Sequence, residues 1–145
     1  MNTPITSPTL SDDEGLVRHF APLLGPALRR RLWLFFLDEE HRPVGPAIPT
    51  DDYPRDPHLP VMTDDLGTLT AAELYGARFG QVMRECDVAR VVVIWERRGG
   101  RRLDRTTREW ARAFGEALRE RGGRVRAQLL LHDGGLCVIA PDDLA

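Results

Sequence analysis

Two short, continuous apolar runs, residues 32–37 and residues 91–95, constrain the fold more than any other feature of the sequence. Each run has the length of one β-strand and falls far short of the ~20 residues that a membrane-spanning helix needs. The second run is Val-Val-Val-Ile-Trp, and its β-branched residues favour a strand. A strand that is apolar along its whole length is typical of a sheet buried on both faces. The two runs therefore predict a central sheet with covering structure on each side.

Two segments with helical periodicity lie on either side of the second run and predict covering helices. The first, residues 70–86, opens with a capping box formed by Thr70 and Glu73. The second, residues 104–121, has Asp104 as its predicted N-cap and ends before a pair of glycines, which stop helices. The apolar face of the first helix consists of Tyr75, Phe79, Val82, Met83 and Cys86.

The N-terminal region predicts one more helix. Residues 1–10 contain two prolines and show no periodicity, so we expect a loose tail there. Ser11 and Glu14 form a second capping-box pattern, and Pro22 is expected to interrupt the helix that follows. The apolar residues of this helix are Leu16, Val17 and Phe20.

Three further strands complete the predicted order. Residues 44–48 form a strand that we place at a sheet edge, because the prolines within and beside it cannot donate to a ladder. Residues 125–131 form a core strand, joined by a turn at 132–135 to a hairpin partner at 136–139. The order is α-β-β-loop-α-β-α-β-β. The predicted fold class is α/β: one domain over residues 11–145, with a three-layer-like mixed β-sheet flanked by helices.

A segment rich in proline and aspartate, residues 49–69, predicts a long extended surface loop. Carboxylates are ligands that Mg²⁺ prefers, so the acidic loop 51–65 carries one enzyme hypothesis, a Mg²⁺-dependent hydrolase. Acidic, proline-rich loops are more often merely solvated. The candidate ligands are Asp51, Asp52, Asp56, Asp64 and Asp65.

No catalytic or metal-binding motif can be read from the rest of the chain. Cys86 and Cys137 lie in apolar patterns and are expected to be small buried hydrophobic residues, without a disulfide. We therefore predict no catalytic residue, no metal and no cofactor. A start without a secretion-signal pattern and the lack of a membrane-length run predict a cytoplasmic protein that does not contact a membrane. The four histidines occur singly, at His19, His41, His58 and His132.

The densest basic stretch, residues 97–112, predicts a surface for an anionic partner. Positive charge is concentrated in the second half of the chain, since residues 1–75 carry a net charge of −6 and residues 76–145 carry +4. A solvated helix face with pairs such as Arg112 with Glu116 is the alternative. The candidate binding residues are Trp95, Arg97, Arg98, Arg101, Arg102, Asp104 and Arg105.

The element order also suggests a family. Residues 32–44 read Leu-Trp-Leu-Phe-Phe-Leu-Asp-Glu-Glu-His-Arg-Pro-Val, an apolar strand, an Asp turn and a second strand. A helix, an apolar strand, a Gly-containing loop, a long helix ending in Gly, and a strand running into Asp-Gly-Gly follow later. In element order and apolar pattern, residues 31–143 resemble the RadC-like branch of the JAB/MPN metalloprotein superfamily. The resemblance implies a cytidine-deaminase-like fold.

The metal ligands of that family have no counterpart in this sequence. The resemblance places the two histidines of the family's His-x-His motif on Trp95 and Arg97. It places the following Ser and Asp on Arg105 and Arg108, or, with one residue deleted, on Asp104 and Thr107. The family's Asp-His pair falls on Ala127 and Gln128, and the strand at 44–48 has no Glu to act as a base. The resemblance therefore implies a degenerate member that has lost metal binding and hydrolysis together.

Three hypotheses of function follow. The leading one is a non-catalytic binding domain, a protein-interaction pseudo-enzyme, that binds a protein partner through residues 95–105 and the long acidic loop. The second is nucleic-acid binding by the Arg-rich residues 97–112. The net charge of −2 argues against this second hypothesis. The third is the Mg²⁺-dependent hydrolase. The prolines of the predicted edge strand argue against pairing between copies of the chain.

Overall fold

A computed structural model describes residues 9–144 and confirms the α/β class and the predicted order of elements. None of the helices in this range is long and apolar enough to cross a membrane. The helices are α1 (Asp13–Leu24), α2 (Ala71–Glu85) and α3 (Arg105–Glu120). The strands are β1 (Arg31–Leu37), β2 (Pro43–Asp51), β3 (Pro60–Thr63), β4 (Gly67–Thr70), β5 (Arg90–Glu96), β6 (Arg124–His132) and β7 (Gly135–Val138), and a 3₁₀ helix spans Pro141–Leu144.

The main sheet has five strands in the order β2-β1-β5-β6-β7, with β5 in the centre and β2 at one edge, as predicted. Strand β1 pairs antiparallel with both β2 and β5, and β6 pairs antiparallel with β7. Strands β5 and β6 are parallel, and α3 connects them. The carboxyl end of β5, the N-terminus of α3 and the β6–β7 turn therefore meet at one end of the sheet.

The sheet separates two apolar cores, so the domain has three layers. Strand β5 supplies both cores because its side chains alternate between the two faces. Helices α2 and α3 cover one face, and their core includes Leu34, Val93, Trp95, Trp110 and Phe114. Helix α1 covers the other face, and its core includes Leu16, Phe20, Val92, Ile94 and Leu129.

The loop predicted at residues 49–69 is partly regular, which corrects that prediction. Strand β2 continues to Asp51, because an edge strand tolerates prolines whose missing N–H would face solvent. Further on, β3 and β4 form a separate two-stranded hairpin. Its turn is stabilised by the Thr63 hydroxyl, which donates to the Gly67 carbonyl at 2.7 Å. Gly67 has a φ of +73°, a conformation that glycine adopts without strain.

Three local predictions around the helices were also wrong. The N-cap of α1 is Asp12, not Ser11: the Asp12 carboxylate accepts the Gly15 N–H at 2.6 Å. Helix α1 also continues past Pro22 to Leu24. Cys86 is exposed at the C-cap of α2, one residue beyond the helix and therefore off its buried face. The predicted caps Thr70 and Asp104 are confirmed.

Candidate functional site

The loop between β5 and α3 is held together by Arg97. Its Nε atom lies 2.7 Å from Oδ1 of Asp104, and its two terminal nitrogens donate to the carbonyls of Gly100 and Arg102, each at 2.7 Å. The Arg97 side chain is only 14% exposed. All three guanidinium nitrogens are thus engaged within the loop. Arg97 shapes the candidate surface and does not face a partner.

Asp104 connects this loop to α3. Its carboxylate caps the helix by accepting the Thr107 N–H at 3.1 Å while it also binds Arg97. Partial burial raises the pKa of Asp104, but the hydrogen bonds from Thr107 and Arg97 outweigh burial, so the net pKa lies below its usual value. Asp104 is therefore a structural anion that fixes where the loop ends.

Two other candidate arginines are also paired. Arg98 lies 2.7 Å from Asp133 in the β6–β7 turn, and the Asp133 N–H donates to Gly99 at 2.9 Å, so the two loops are joined. Arg105 pairs with Glu109 along α3 at 3.2 Å. Both side chains remain largely exposed, so these pairs are weak and open to competition from another anion.

Trp95 is buried, which rules out direct contact with a partner. It is 1% exposed, and its Nε1 atom donates to Oε1 of Gln128 at 2.8 Å. The Gln128 amide in turn donates to the Ala111 carbonyl of α3 at 2.8 Å. These buried hydrogen bonds connect β5, β6 and α3 directly beneath the loop between β5 and α3.

Three exposed arginines converge on a cleft beside the loop. The side chains of Arg101, Arg102 and Arg108 line a cleft of about 460 Å³. None of the three has a carboxylate within 4.0 Å among residues 9–144. One acid, Asp143, also lines the cleft, and apolar and weakly polar residues form the rest of the wall. They are Leu103, Leu130, Cys137, Val138 and Ile139. We call this the arginine cleft.

The seven candidates thus divide by what they contact. Arg101 and Arg102 line the arginine cleft, and Arg105 pairs with Glu109 along α3. Arg97, Arg98 and Asp104 fix the loop, and Trp95 lies in the core. Arg108 was not among the seven. A local signal existed for it: Arg108 is one helical turn after the Asp104 cap, and that spacing carries its side chain to the loop end of α3.

Sequence reasoning also missed Glu96, a buried carboxylate at the end of β5. It is 3% exposed, and its Oε2 atom accepts the N–H groups of Leu28 at 2.7 Å and Arg29 at 3.2 Å. Its Oε1 atom accepts Nε1–H of Trp33 at 2.9 Å. Glu96 therefore attaches the α1–β1 connection to the central strand. Its donors are distant in sequence, and no pattern around residue 96 indicates them.

The aspartates of the magnesium hypothesis are not brought together. Asp51 pairs with Arg31 at 2.7 Å, and Asp65 forms a bidentate ion pair with Arg78 at 2.8 and 2.9 Å. Asp56 accepts the N–H of His58 in a turn. Within residues 9–144 no three acidic, His or Cys side chains form a group that could hold a metal ion.

His132, at the end of β6, is expected to make the stability of the domain depend on pH. The pKa of His132 lies below its usual value, mainly because the side chain is buried and also because the cations Arg97 and Arg101 are near. The negative charge of Asp133 raises the pKa but does not outweigh these effects. Its Nδ1 atom accepts the Gly134 N–H at 3.1 Å, which requires neutral imidazole. Stability is therefore complete above the unfolded pKa of ~6.5 and decreases as the pH falls below it, because the unfolded chain takes up the proton first.

His132→Asn should remove this pH dependence. Asparagine can accept the same turn N–H but does not titrate. Between pH 7.5 and pH 5.5 we expect the wild type to lose about 1 kcal/mol more unfolding free energy than the variant, the usual net value of one hydrogen bond. Urea denaturation at both pH values measures the difference. Equal losses in the two proteins would show that His132 does not contribute, because His19 and His41 are common to both.

No protein-family model matches the chain, and no curated protein matches it in sequence.

Proposed function

We propose that this domain is a non-catalytic binding module that takes an acidic protein segment into the arginine cleft. The observation that carries the proposal is the convergence of Arg101, Arg102 and Arg108 on a cleft with a largely apolar wall, with no carboxylate within 4.0 Å of any of the three among residues 9–144. Exposed guanidinium groups are well suited to carboxylate recognition, because their planar fork can bind both oxygens at once. The apolar wall adds contact area that a purely ionic surface lacks.

The resemblance to the RadC-like branch supports the non-catalytic part of the proposal. Positions 95 and 97, where that family has its metal-binding histidines, hold side chains that are already bonded to positions 128 and 104. The indole of Trp95 is a donor only, and the guanidinium of Arg97 is a cation, so neither can hold a metal ion. If the resemblance holds, a Trp–Gln hydrogen bond and an Arg–Asp ion pair stand at the positions of that family's metal-binding histidines.

An acidic protein fits the cleft better than a nucleic acid. The chain has a net charge of −2, which weakens attraction for a long polyanion more than for a short acidic segment held by the cleft alone. Nucleic-acid binding by residues 97–112 is the second candidate, favoured by the exposed Arg101, Arg102, Arg105, Arg108 and Arg112. The two candidates differ in salt dependence, since a phosphate backbone releases many counterions on binding.

The test uses a fluorescein-labelled peptide of alternating aspartate and valine and an oligodeoxynucleotide of equal charge. We expect the peptide to bind, and the triple variant Arg101→Ala, Arg102→Ala, Arg108→Ala to bind it about 30-fold more weakly, as the loss of three exposed charge contacts implies. Fluorescence anisotropy over a range of salt concentrations measures both ligands.

The matched control removes three other exposed arginines whose side chains have no intramolecular ion pair among the described residues, Arg18, Arg55 and Arg121. This variant has the same net charge as the first. If it weakens peptide binding equally, attraction is only a bulk charge effect and the cleft is not the site. Tight, steeply salt-dependent binding of the oligonucleotide alone would favour the nucleic-acid function.

The compartment we propose is the cytoplasm. Cys86 and Cys137 are both free thiols, one exposed and one partly buried. Free thiols persist in a reducing compartment, where disulfides are rare.

A further inference from the structure

The edge of the sheet next to the arginine cleft is incomplete, and we propose that it binds the partner's acidic segment as an added β-strand. This inference rests on the proposed function and specifies how the partner binds. It concerns the free edge of β6 between residues 124 and 127, which we call the strand slot. The occupant is an extended peptide with acidic side chains from another protein.

Strand β6 is longer than the strand that pairs with it. It spans Arg124–His132, whereas β7 pairs only with its second half, from Leu129 to His132. The last bond between them runs from the Ile139 N–H to the Gln128 carbonyl at 2.9 Å, after which the chain turns away into the 3₁₀ helix. No described strand pairs with residues 124–127 on that side. Four residues, or less than roughly 13 Å of strand edge because Arg126 lies at an irregularity in the pairing with β5, therefore have no partner strand on this side among residues 9–144.

A cleft of about 610 Å³ follows this open edge. Its apolar lining comes from β6, from the end of β7 and from the segment after β7: Val125, Ala127, Val138, Ile139 and Leu144. The start of α1 forms one wall and α3 forms the other, so the slot lies in the plane of the sheet between the two helical layers. An extended peptide fits this geometry, because its backbone can pair with β6 while its alternate side chains meet the two walls.

The charge of the slot favours an acidic occupant. Asp13 is already paired with Arg126 at 3.2 Å, and Arg126 also holds the carbonyls of Leu10 and Ser11, so neither is free. On α3, Arg112 and Arg119 are exposed, and no carboxylate lies within 4.0 Å of either among residues 9–144. One acid, Glu116, lies between them. With two arginines and one glutamate, the α3 wall of the slot therefore carries a net positive charge.

The slot and the arginine cleft adjoin each other. Val138 and Ile139 line both, and α3 contributes arginines to each. A single acidic segment can therefore pair with β6 and extend towards Arg101, Arg102 and Arg108. Strand pairing supplies main-chain hydrogen bonds, and the arginines supply the preference for acidic side chains.

The experiment separates strand pairing from charge attraction. The full-length chain is titrated with the Asp–Val peptide, with the same peptide N-methylated at alternate amides, and with a Lys–Val peptide. We expect N-methylation to weaken binding at least about ten-fold, because it removes backbone donors without changing charge. The Lys–Val peptide should not bind. Hydrogen exchange followed by NMR should show new protection of the amides at residues 124–127 when the Asp–Val peptide is bound.

Variants locate the binding and separate the two proposals. Arg112→Ala with Arg119→Ala should weaken binding of the Asp–Val peptide, whereas Arg55→Ala with Arg121→Ala should not. If the N-methylated peptide binds as tightly as the parent, and the triple arginine-cleft variant weakens both, strand addition is wrong and the proposed function stands. If no acidic peptide binds, both proposals are wrong.

Other occupants of the slot give their own results. If the Asp–Val peptide binds only after residues 1–8 are deleted, the slot belongs to the chain's own N-terminus and a partner strand is excluded. If light scattering shows a dimer that protects the amides at residues 124–127, the occupant is a second copy. Either result overturns the proposal.

Discussion

Replacing Gln128 with leucine is expected to lower the free energy of unfolding by about 3 kcal/mol. Gln128 is 5% exposed and bridges the Trp95 indole and the Ala111 carbonyl, with both hydrogen bonds at 2.8 Å. Leucine has a similar length but leaves the buried indole N–H without an acceptor. Leaving one buried donor unsatisfied costs about 1–3 kcal/mol, and the lost bond to α3 adds about 1 kcal/mol. Urea denaturation measures the change.

A double-mutant cycle with Trp95→Phe tests the physical reason. Phenylalanine removes the indole N–H, so the double variant leaves no unsatisfied donor at this position. We expect the double variant to be less destabilised than the sum of the two single variants. Strictly additive effects would mean that the Trp95–Gln128 bond does not stabilise the fold. Either single variant should also disturb the arginine cleft, because Trp95 lies directly below the loop that carries Arg101.

Local sequence signals predicted most of the scaffold because they act over a few residues. The apolar runs became β1 and β5, and the capping residues Thr70 and Asp104 begin α2 and α3 as expected. The prolines correctly predicted that β2 lies at an edge, but they also led to a predicted strand that was too short. Proline removes one donor but does not prevent an extended backbone, so proline content says more about position in a sheet than about where a strand stops.

The contacts that each arginine side chain makes could not be predicted in the same way. Arg97 and Arg101 stand in one basic run, but Arg97 lies inside the loop and Arg101 lines the cleft. What separates them is the position of Asp104 and of two backbone carbonyls, which only the folded loop supplies. Arg108 depends on helix geometry, and the strand slot depends on the difference in length between β6 and β7. These features arise from tertiary structure.

The candidate surface is therefore built on a rigid base. Arg97 has no freedom to move towards a partner, and its bonds fix the backbone from which Arg101 and Arg102 project. A binding site whose backbone is already fixed loses less conformational entropy when a ligand binds. This arrangement explains how a loop with two glycines, Gly99 and Gly100, can present a defined set of charges.

Glu96→Leu should destabilise the domain by about 3 kcal/mol, a loss comparable to that for Gln128→Leu. The Glu96 carboxylate accepts from two backbone amides of the α1–β1 connection and from the indole of Trp33. Hydrogen bonds to a charged group contribute about 1.5–3 kcal/mol each, but removing a buried carboxylate and burying an apolar leucine side chain in its place offset part of this loss. Loss of the carboxylate should also release the connection, so the amides of Leu28 and Arg29 should exchange faster than in the wild type.

Glu96→Gln refines this prediction. Glutamine keeps one carbonyl oxygen, which can serve the two backbone amides, but it presents an NH₂ group to the Trp33 N–H, where two donors repel. We expect a loss of about 1–2 kcal/mol, with the amides of Leu28 and Arg29 still protected. Protection of these amides in Glu96→Gln and its loss in Glu96→Leu would establish that the carboxylate anchors the connection through its acceptor geometry. Equal exchange in both variants and the wild type would show that Glu96 fills space without holding the connection.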